Sequence, residues 1–336
     1  MVKNVNSITL NNTTYQNEDG TKHSATLNSV NLNSVAWVNN DMTNAFINCQ
    51  NLTQVSGINS LVNNMSGAFY NCILLNDAPE IPSAVLNLHN TFVNCSNLVS
   101  SPLFTSSSFT DMSGAFDGCS VLNSVSTIPS SVTNIANTFR NCVALENAPS
   151  MSSVVSCDMS GAFDGCILLN NVATLPVAIS NLSKAFNGCN NLPNIPAIPN
   201  GVTDISNTFN GCSVINGIIN IPSSVTNMSG TFDGCSSLTG ELFIESLGIT
   251  DITNCFANTS ANKDIYIYFE DNGSNTTTYT TFTSAGYSSS TRSADGVLLM
   301  DNKEIDLSDY SYSNVNGDIT LEEYIGTAID ITTPNK

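Results

Sequence analysis

Nine of the eleven cysteines recur at a fixed interval, and thiols placed so regularly admit three chemistries: disulfide bonding, metal ligation, or burial as small apolar groups. The column is Cys49, Cys72, Cys95, Cys119, Cys142, Cys166, Cys189, Cys212 and Cys235, spaced 23 or 24 residues apart. Neighbours stacked one strand apart would lie within the Cα separation that a disulfide allows, but a column of nine cannot pair completely. Zinc takes four N or S ligands in tight local pairs, whereas this chain has no C-x-x-C and its only histidines are His23 and His89. Burial in the reduced state fits best, because a free thiol packs as a small hydrophobe with a weak donor. Cys157 and Cys255 stand outside the column and read as packing residues.

Carboxylates and carboxamides form a second recurring set, five residues before a repeated phenylalanine: Asp41, Asn64, Asn87, Asp111, Asn134, Asp158, Asn181, Asp204, Asn227 and Asp251. Asp117, Asp164 and Asp233 add acids directly after the phenylalanine. Calcium held between coils needs several carboxylates converging on each ion. Here acid alternates irregularly with amide, so the short acceptors are expected to cap turns instead. Asp301, Glu304, Asp306 and Asp309 make a denser acidic group, to be weighed against a solvated loop. No nucleophile motif, glycine-rich phosphate loop or paired-carboxylate signature is present. The sequence therefore predicts a non-enzymatic protein with no catalytic residue, no cofactor and no metal.

The elements that position these residues follow from the period itself. Phe-x-x-Cys-x-x-Leu begins at Phe46, Phe69, Phe92, Phe116, Phe139, Phe163, Phe186, Phe209 and Phe232, and a tenth copy at Phe256 carries Thr259 for its cysteine. An apolar residue four before each phenylalanine, such as Met65, Ile135 or Met228, would share its face one helical turn away. Gly or Asn stands two after each phenylalanine, the types that tolerate positive φ, and predicts a left-handed corner. Leu122-Asn-Ser-Val125-Ser-Thr-Ile128-Pro129 illustrates the remainder, a short strand closed by proline. One coil is thus expected to be a capped helical turn, a left-handed corner, a short strand and a Pro/Ser turn. Its Phe and Leu cannot be buried by one coil alone, so coils must stack into a repeat solenoid of about ten units with a core ladder of these phenylalanines and cysteines.

The surface is predicted to be weakly charged but acidic: charged residues are 10% of the chain and the net charge is −19. Between Lys22 and Lys263 the fixed cations are Arg140 and Lys184, so no cationic stripe for nucleic acid can be assembled, and anionic membranes are disfavoured. No run approaches the length of a membrane span. The N-terminal MVKNVNSITLNNTTYQ lacks an apolar run of signal-peptide length, which predicts retention in a cytoplasm or exit by another route, unless a leader has been removed.

The series NMSGAFYNC, DMSGAFDGC, NIANTFRNC, DISNTFNGC and NMSGTFDGC, each followed by L-x-x-V-x-x-I-P-like stretches, resembles the BspA-like leucine-rich repeats of bacterial surface proteins over residues 27–260. The resemblance implies a right-handed β-solenoid with short strands and short helical turns, used for adhesion or recognition. Ile265 to Asp301 resembles the module that often follows such arrays. VNSITLNNTTYQNEDG resembles opening segments of bacteriophage virion proteins. Together these predict a virion surface component, a fibre or decoration binding a host surface, with a bacterial cell-surface or secreted adhesin as the alternative.

Three regions are expected: an N-terminal cap or attachment segment (1–40), the solenoid (41–260) and a C-terminal α+β cap or partner-contact domain (261–336). The cap at the start would hold a strand from Ser7 to Leu10, a turn at Glu18-Asp19-Gly20, a degenerate coil through Val30, Leu32 and Val35, and Trp37. The tail would hold strands at Asp264–Phe269, Val297–Met300, Ile319–Tyr324 and Ala328–Ile331, with Tyr279, Phe282 and Ala285 at helical spacing. Tyr266, Tyr268, Tyr287, Tyr310 and Tyr312 are its candidate partner contacts. Expected partners are other virion or surface proteins and a host-surface protein or glycan, with homo-oligomers open. The outward strand column Gln54, Asp77, Ser100, Ser124, Asn147, Asn171, Asn194, Gly217 and Gly240 has no aromatic platform and suits a glycan poorly.

Overall fold

The computed structural model describes residues 7–9, 14–15, 28–32, 35–104, 108–151, 153–246, 248–259, 265–269, 277–285, 287, 297–299, 310–315 and 318–324. The acidic group at Asp301–Asp309, the Glu18-Asp19-Gly20 turn and the strand expected at Ala328–Ile331 lie outside them. Among the described residues the chain is a stack of coils, each repeating the last in register.

The Phe-bearing side of each coil is built from turns, not from a helix. Phe−2 and Phe+2 are both left-handed in all ten coils, with φ of 53 to 63° at the first position and 55 to 76° at the second. In the first coil the N–H groups of Ala45 and Cys49 close type II turns onto the carbonyls of Met42 and Phe46 at 3.0 and 3.1 Å. Those of Met42, Asn44, Phe46 and Asn48 point along the stack to Asn64, Ser66, Ala68 and Tyr70 of the next coil, at 2.8 to 2.9 Å. Alternate amides thus serve the turn and the stack, and every second one is withdrawn from any helical ladder. This corrects the capped helical turn expected from the sequence. The reason lies in the Phe−2 column, Gly or Asn in nine of ten coils with Lys184 in the other: two positive-φ residues four apart break a helix.

The strand side is also sparser than expected. Short strands occur at Gln54–Ser56 (β5) and Ile219–Ile221 (β6), while intervening coils meet at single parallel bridges such as Ser100↔Ser124 and Asn147↔Asn171. Prolines 79, 102, 129, 149, 176 and 193 interrupt this side, and a residue without an N–H cannot extend a ladder. The Pro turns form as anticipated: Val85, Val132, Val202 and Val225 donate to the carbonyls of Pro82, Pro129, Pro199 and Pro222.

The interior is a set of columns. Ten phenylalanine rings from Phe46 to Phe256 stack at centroid separations of 5.4 to 6.0 Å and interplanar angles of 2 to 17°. Beside them lie buried columns of Leu or Ile (Leu52 to Leu238) and of Met, Leu or Ile (Met42 to Ile252). Each buried Leu or Phe contributes roughly 1.5–3 kcal/mol, and none is buried without its neighbours in the stack.

Both ends of the Phe column are covered. At the start, Ser7–Thr9 (β1), Ser29–Asn31 (β3) and β5 form a parallel sheet in the order β1-β3-β5, and Thr14–Tyr15 (β2) pairs with Ala36–Trp37 (β4). Trp37 meets Phe46 edge-on at 6.4 Å. At the other end β6, Gly240–Ile244 (β7), Ile265–Phe269 (β8) and Val297–Leu299 (β9) make one parallel sheet, which carries the stack past residue 260. Helix α1 (Thr277–Ser284) closes it, with Phe282 and Tyr287 against Phe256 at 6.4 and 6.1 Å. Thr278 fixes α1 to the last coil, donating to Ser246 O at 2.7 Å and accepting from Ile249 N at 2.9 Å. Tyr310–Val315 (β10) and Asp318–Tyr324 (β11) form an antiparallel hairpin, of which only the second strand was anticipated.

Candidate functional site

The thiols are buried and reduced, all eleven of them. Eight column thiols donate to a phenylalanine carbonyl of the preceding coil, from Cys72 Sγ to Phe46 O at 3.1 Å through Cys235 Sγ to Phe209 O at 3.0 Å. The same carbonyl accepts an N–H from its own turn, as Phe46 O does from Cys49. Desolvation raises every column pKa, to about 12 at Cys49, Cys166 and Cys212. A protonated, enclosed thiol is neither a nucleophile nor a metal ligand. Cys255 occupies the Phe−1 column, among Ala and Thr. Those threonines donate in the same way, Thr91 to Met65 O at 3.0 Å and Thr138 to Met112 O at 2.8 Å. Cys157 lies directly before Asp158, in a column otherwise mostly Asn and Thr.

The Asx column does cap, though it caps turns. In all ten coils its side-chain oxygen accepts the backbone N–H two residues on at 2.7 to 3.0 Å, from Thr43 on Asp41 to Thr253 on Asp251. The same residues form the parallel bridges between coils, such as Asp41↔Asn64 and Asn227↔Asp251. The acids after the phenylalanine meet N–H donors. Arg140 grips Asp117, with its guanidinium Nη2 at 2.5 Å, while Asn187 donates to Asp164 at 2.7 Å and Asn258 to Asp233 at 2.8 Å. The Asp117 bond raises the Arg140 pKa above its ordinary value. These carboxylates are thus satisfied by protein donors, and no three metal-ligating side chains gather among the described residues.

One constellation that the sequence did not flag brings Ser, His and Asp together. His89 Nδ1 lies 2.7 Å from Ser113 Oγ, Ser113 Oγ donates to Asp111 Oδ1 at 2.6 Å, and Asn90 Nδ2 lies 2.9 Å from His89 Nε2. The order is wrong for nucleophilic catalysis. With Asn90 donating to Nε2, the imidazole proton sits on Nδ1 and is given to the serine, whose own proton goes to the aspartate. The imidazole therefore cannot take a proton from Ser113, and the carboxylate that accepts the hydroxyl is too weak a base to activate it. The group ties two coils together.

The tail tyrosines are placed variously. Tyr268 is buried, stacks on Phe243 at 5.1 Å and donates to Glu241 at 3.2 Å. Tyr287 packs edge-on against Phe256, and Tyr266 is half-buried beside Glu241 on β8. Tyr310 and Tyr312 pair with Tyr324 and Leu321 in the terminal hairpin. Outward amides also bond along the solenoid, with Asn71 donating to Asn48, Asn94 to Asn71 and Asn171 to Asn147 at 2.8 to 3.1 Å.

A family model described as the BspA type leucine rich repeat region matches in 6 copies, over residues 2–99, 23–146, 89–184 and 159–284. The chain belongs to this BspA-type family. As a BspA-type protein it has a leucine-rich-repeat fold. A leucine-rich cell surface protein from Faecalibacterium prausnitzii is similar, at 20% identity over 72% of this chain and 88% of that one, with a TM-score of 0.33. A leucine-rich repeat protein from Bacteroides ovatus shares 15% identity over 72% and 79%, with a TM-score of 0.41. A leucine-rich repeat protein from T. pallidum shares 18% over 79% and 72%, at 0.27. No curated protein matches the sequence. Nothing in these comparisons supports the virion resemblance of the N-terminal segment, and the family match sits better with the alternative, a bacterial surface protein. No described helix is long and apolar enough to cross a membrane.

Proposed function

We propose that this BspA-type chain is a non-catalytic recognition protein of a bacterial cell surface, binding protein partners through its outward face. The observation that carries the reading is the consumption of reactive groups by the stack: thiols, the acids after the phenylalanines and the Ser113–His89 pair bond from coil to coil, and the Asx carboxylates cap turns within their own coils. What the chain offers a partner is a long, regular and weakly charged surface. In this reading ten coils, wound right-handed, present that surface over residues 41–260. Residues 1–40 close one end, and 261–336 both close the other and supply contacts such as Tyr266 and the terminal hairpin.

Intact cells producing the protein are treated with an impermeant protease, and the chain is followed by antibody. Cleavage on intact cells is expected. Full protection until lysis would overturn the surface reading, and turnover of a host polysaccharide by the purified chain would overturn the non-catalytic one.

A further inference from the structure

One corner of the stack carries an apolar stripe with no structural task. The turn between Cys and Leu places Ile73 and Leu74, Val121, Val143 and Ala144, then Ile167 and Leu168 outward in their respective coils; the coil between the first two groups has Ser96 and Asn97 in that turn and carries Val99 just past its Leu. The first two, Val99, Val121 and the last two are 37 to 47% exposed, and backbone bonds such as Asn97 N to Ile73 O and Asn123 N to Val99 O place the coils side by side. The interior is already filled by the Phe, Cys and Leu columns, so these side chains add nothing to it. Apolar groups recurring at this turn in four of five consecutive coils, with amides on both flanks, have the pattern of an interface core inside a polar rim.

Charge selects the occupant. Residues 61–180 hold seven acids, Asp77, Glu80, Asp111, Asp117, Glu146, Asp158 and Asp164, against a single fixed cation, Arg140. That cation is engaged by Asp117. Asp77, Glu80 and Glu146 are exposed, and Glu146 stands in the same coil position as Val99. A second copy would bring the same negative field to the contact, whereas a cationic segment is drawn to it.

We infer that the Ile73–Leu168 stripe docks an amphipathic, lysine- or arginine-rich segment of a partner protein, its apolar side chains on the stripe and its cations toward the flanking acids. This rests on the recognition reading, but it is tested on the purified chain, so failure of the surface-protease experiment leaves it standing and its own failure leaves that reading intact.

The probe is a fluorescent peptide of alternating Leu and Lys, titrated into the full chain and followed by anisotropy, beside a Leu/Glu peptide and a Ser/Lys peptide. Saturable binding of Leu/Lys alone is expected. The triple change Val121→Ser, Ile167→Ser, Leu168→Ser should weaken it about tenfold or more, as truncation at an interface centre does. The pair Val155→Ser, Val177→Ser, at exposed positions on another corner, should leave it unchanged. Equal affinity in the triple variant, equal binding of Ser/Lys, or binding of Leu/Glu would each overturn the proposal. So would sedimentation showing a dimer that the triple change dissociates, since the stripe would then belong to a second copy.

Discussion

Each column thiol donates to a carbonyl that already accepts a turn amide, inside a core closed to water, and this couples stability to pH. An unfolded thiol ionises near 9.0, whereas burial holds Cys49, Cys166 and Cys212 at about 12. Their stabilisation is whole below pH 9 and is lost as pH rises toward 12, at about 1.4 kcal/mol per thiol per pH unit. Several such thiols acting together exceed the roughly 5–15 kcal/mol margin of a folded domain. The urea midpoint is therefore expected to hold from pH 6 to 8 and collapse above 9, with all eleven thiols reacting with a disulfide reagent only after unfolding. A midpoint that stays flat through pH 10 would refute this. Lys184 illustrates the opposite case, a residue at odds with its backbone. Its φ of 57° falls where the other coils place Gly or Asn. Lys184→Asn should raise stability by about 0.5–1 kcal/mol in chemical denaturation.

Between coils the columns discriminate by size as well as by polarity. A Cβ on Gly114 would lie 2.1 Å from Asn90 Oδ1, and φ there is +63°. Gly114→Ala should cost about 2–4 kcal/mol, from the left-handed backbone and the clash together. Adding Asn90→Gly should recover the clash and leave about 1–2 kcal/mol of backbone penalty. Additive effects of the two changes in a double-mutant cycle would show that the coils do not meet there. Asn and Gly recur at Phe−2 as they do at Phe+2, and both positions tolerate positive φ. Two such positions four apart specify turns, whereas one alone is compatible with a helix that ends there. The strands are sparser than the pattern predicts because alternation marks the side chains that face inward, but not how many amides find a partner when proline recurs in the same segment.

At the scale of the whole molecule, covered ends distinguish a finite protein from a filament. Trp37 seals one end of the Phe column, and Phe282 with Tyr287 seals the other. Removing either seal, by Trp37→Ser or by the pair Phe282→Ser and Tyr287→Ser, should expose a flat ring and produce concentration-dependent association. Light scattering at rising protein concentration tests this, and a variant that stays monomeric would contradict it. The excess of acids works in the other direction, since like charge keeps parallel rods apart, and added salt should promote association of the cap variants.

The linear chain determined that coils exist, which side chains share an interior column and that the surface is acidic, because each follows from a period of 23 or 24 residues and from composition alone. Turn caps belong with these, since an Asx oxygen reaches an amide two residues away whatever the rest of the chain does. Only the tertiary structure decided where alternate amides point, that Ser113, His89 and Asp111 meet in an order unfit for catalysis, and that α1 lies on Phe256. Those outcomes depend on residues that stacking brings together across coils, and local spacing does not encode the orientation of groups so far apart along the chain.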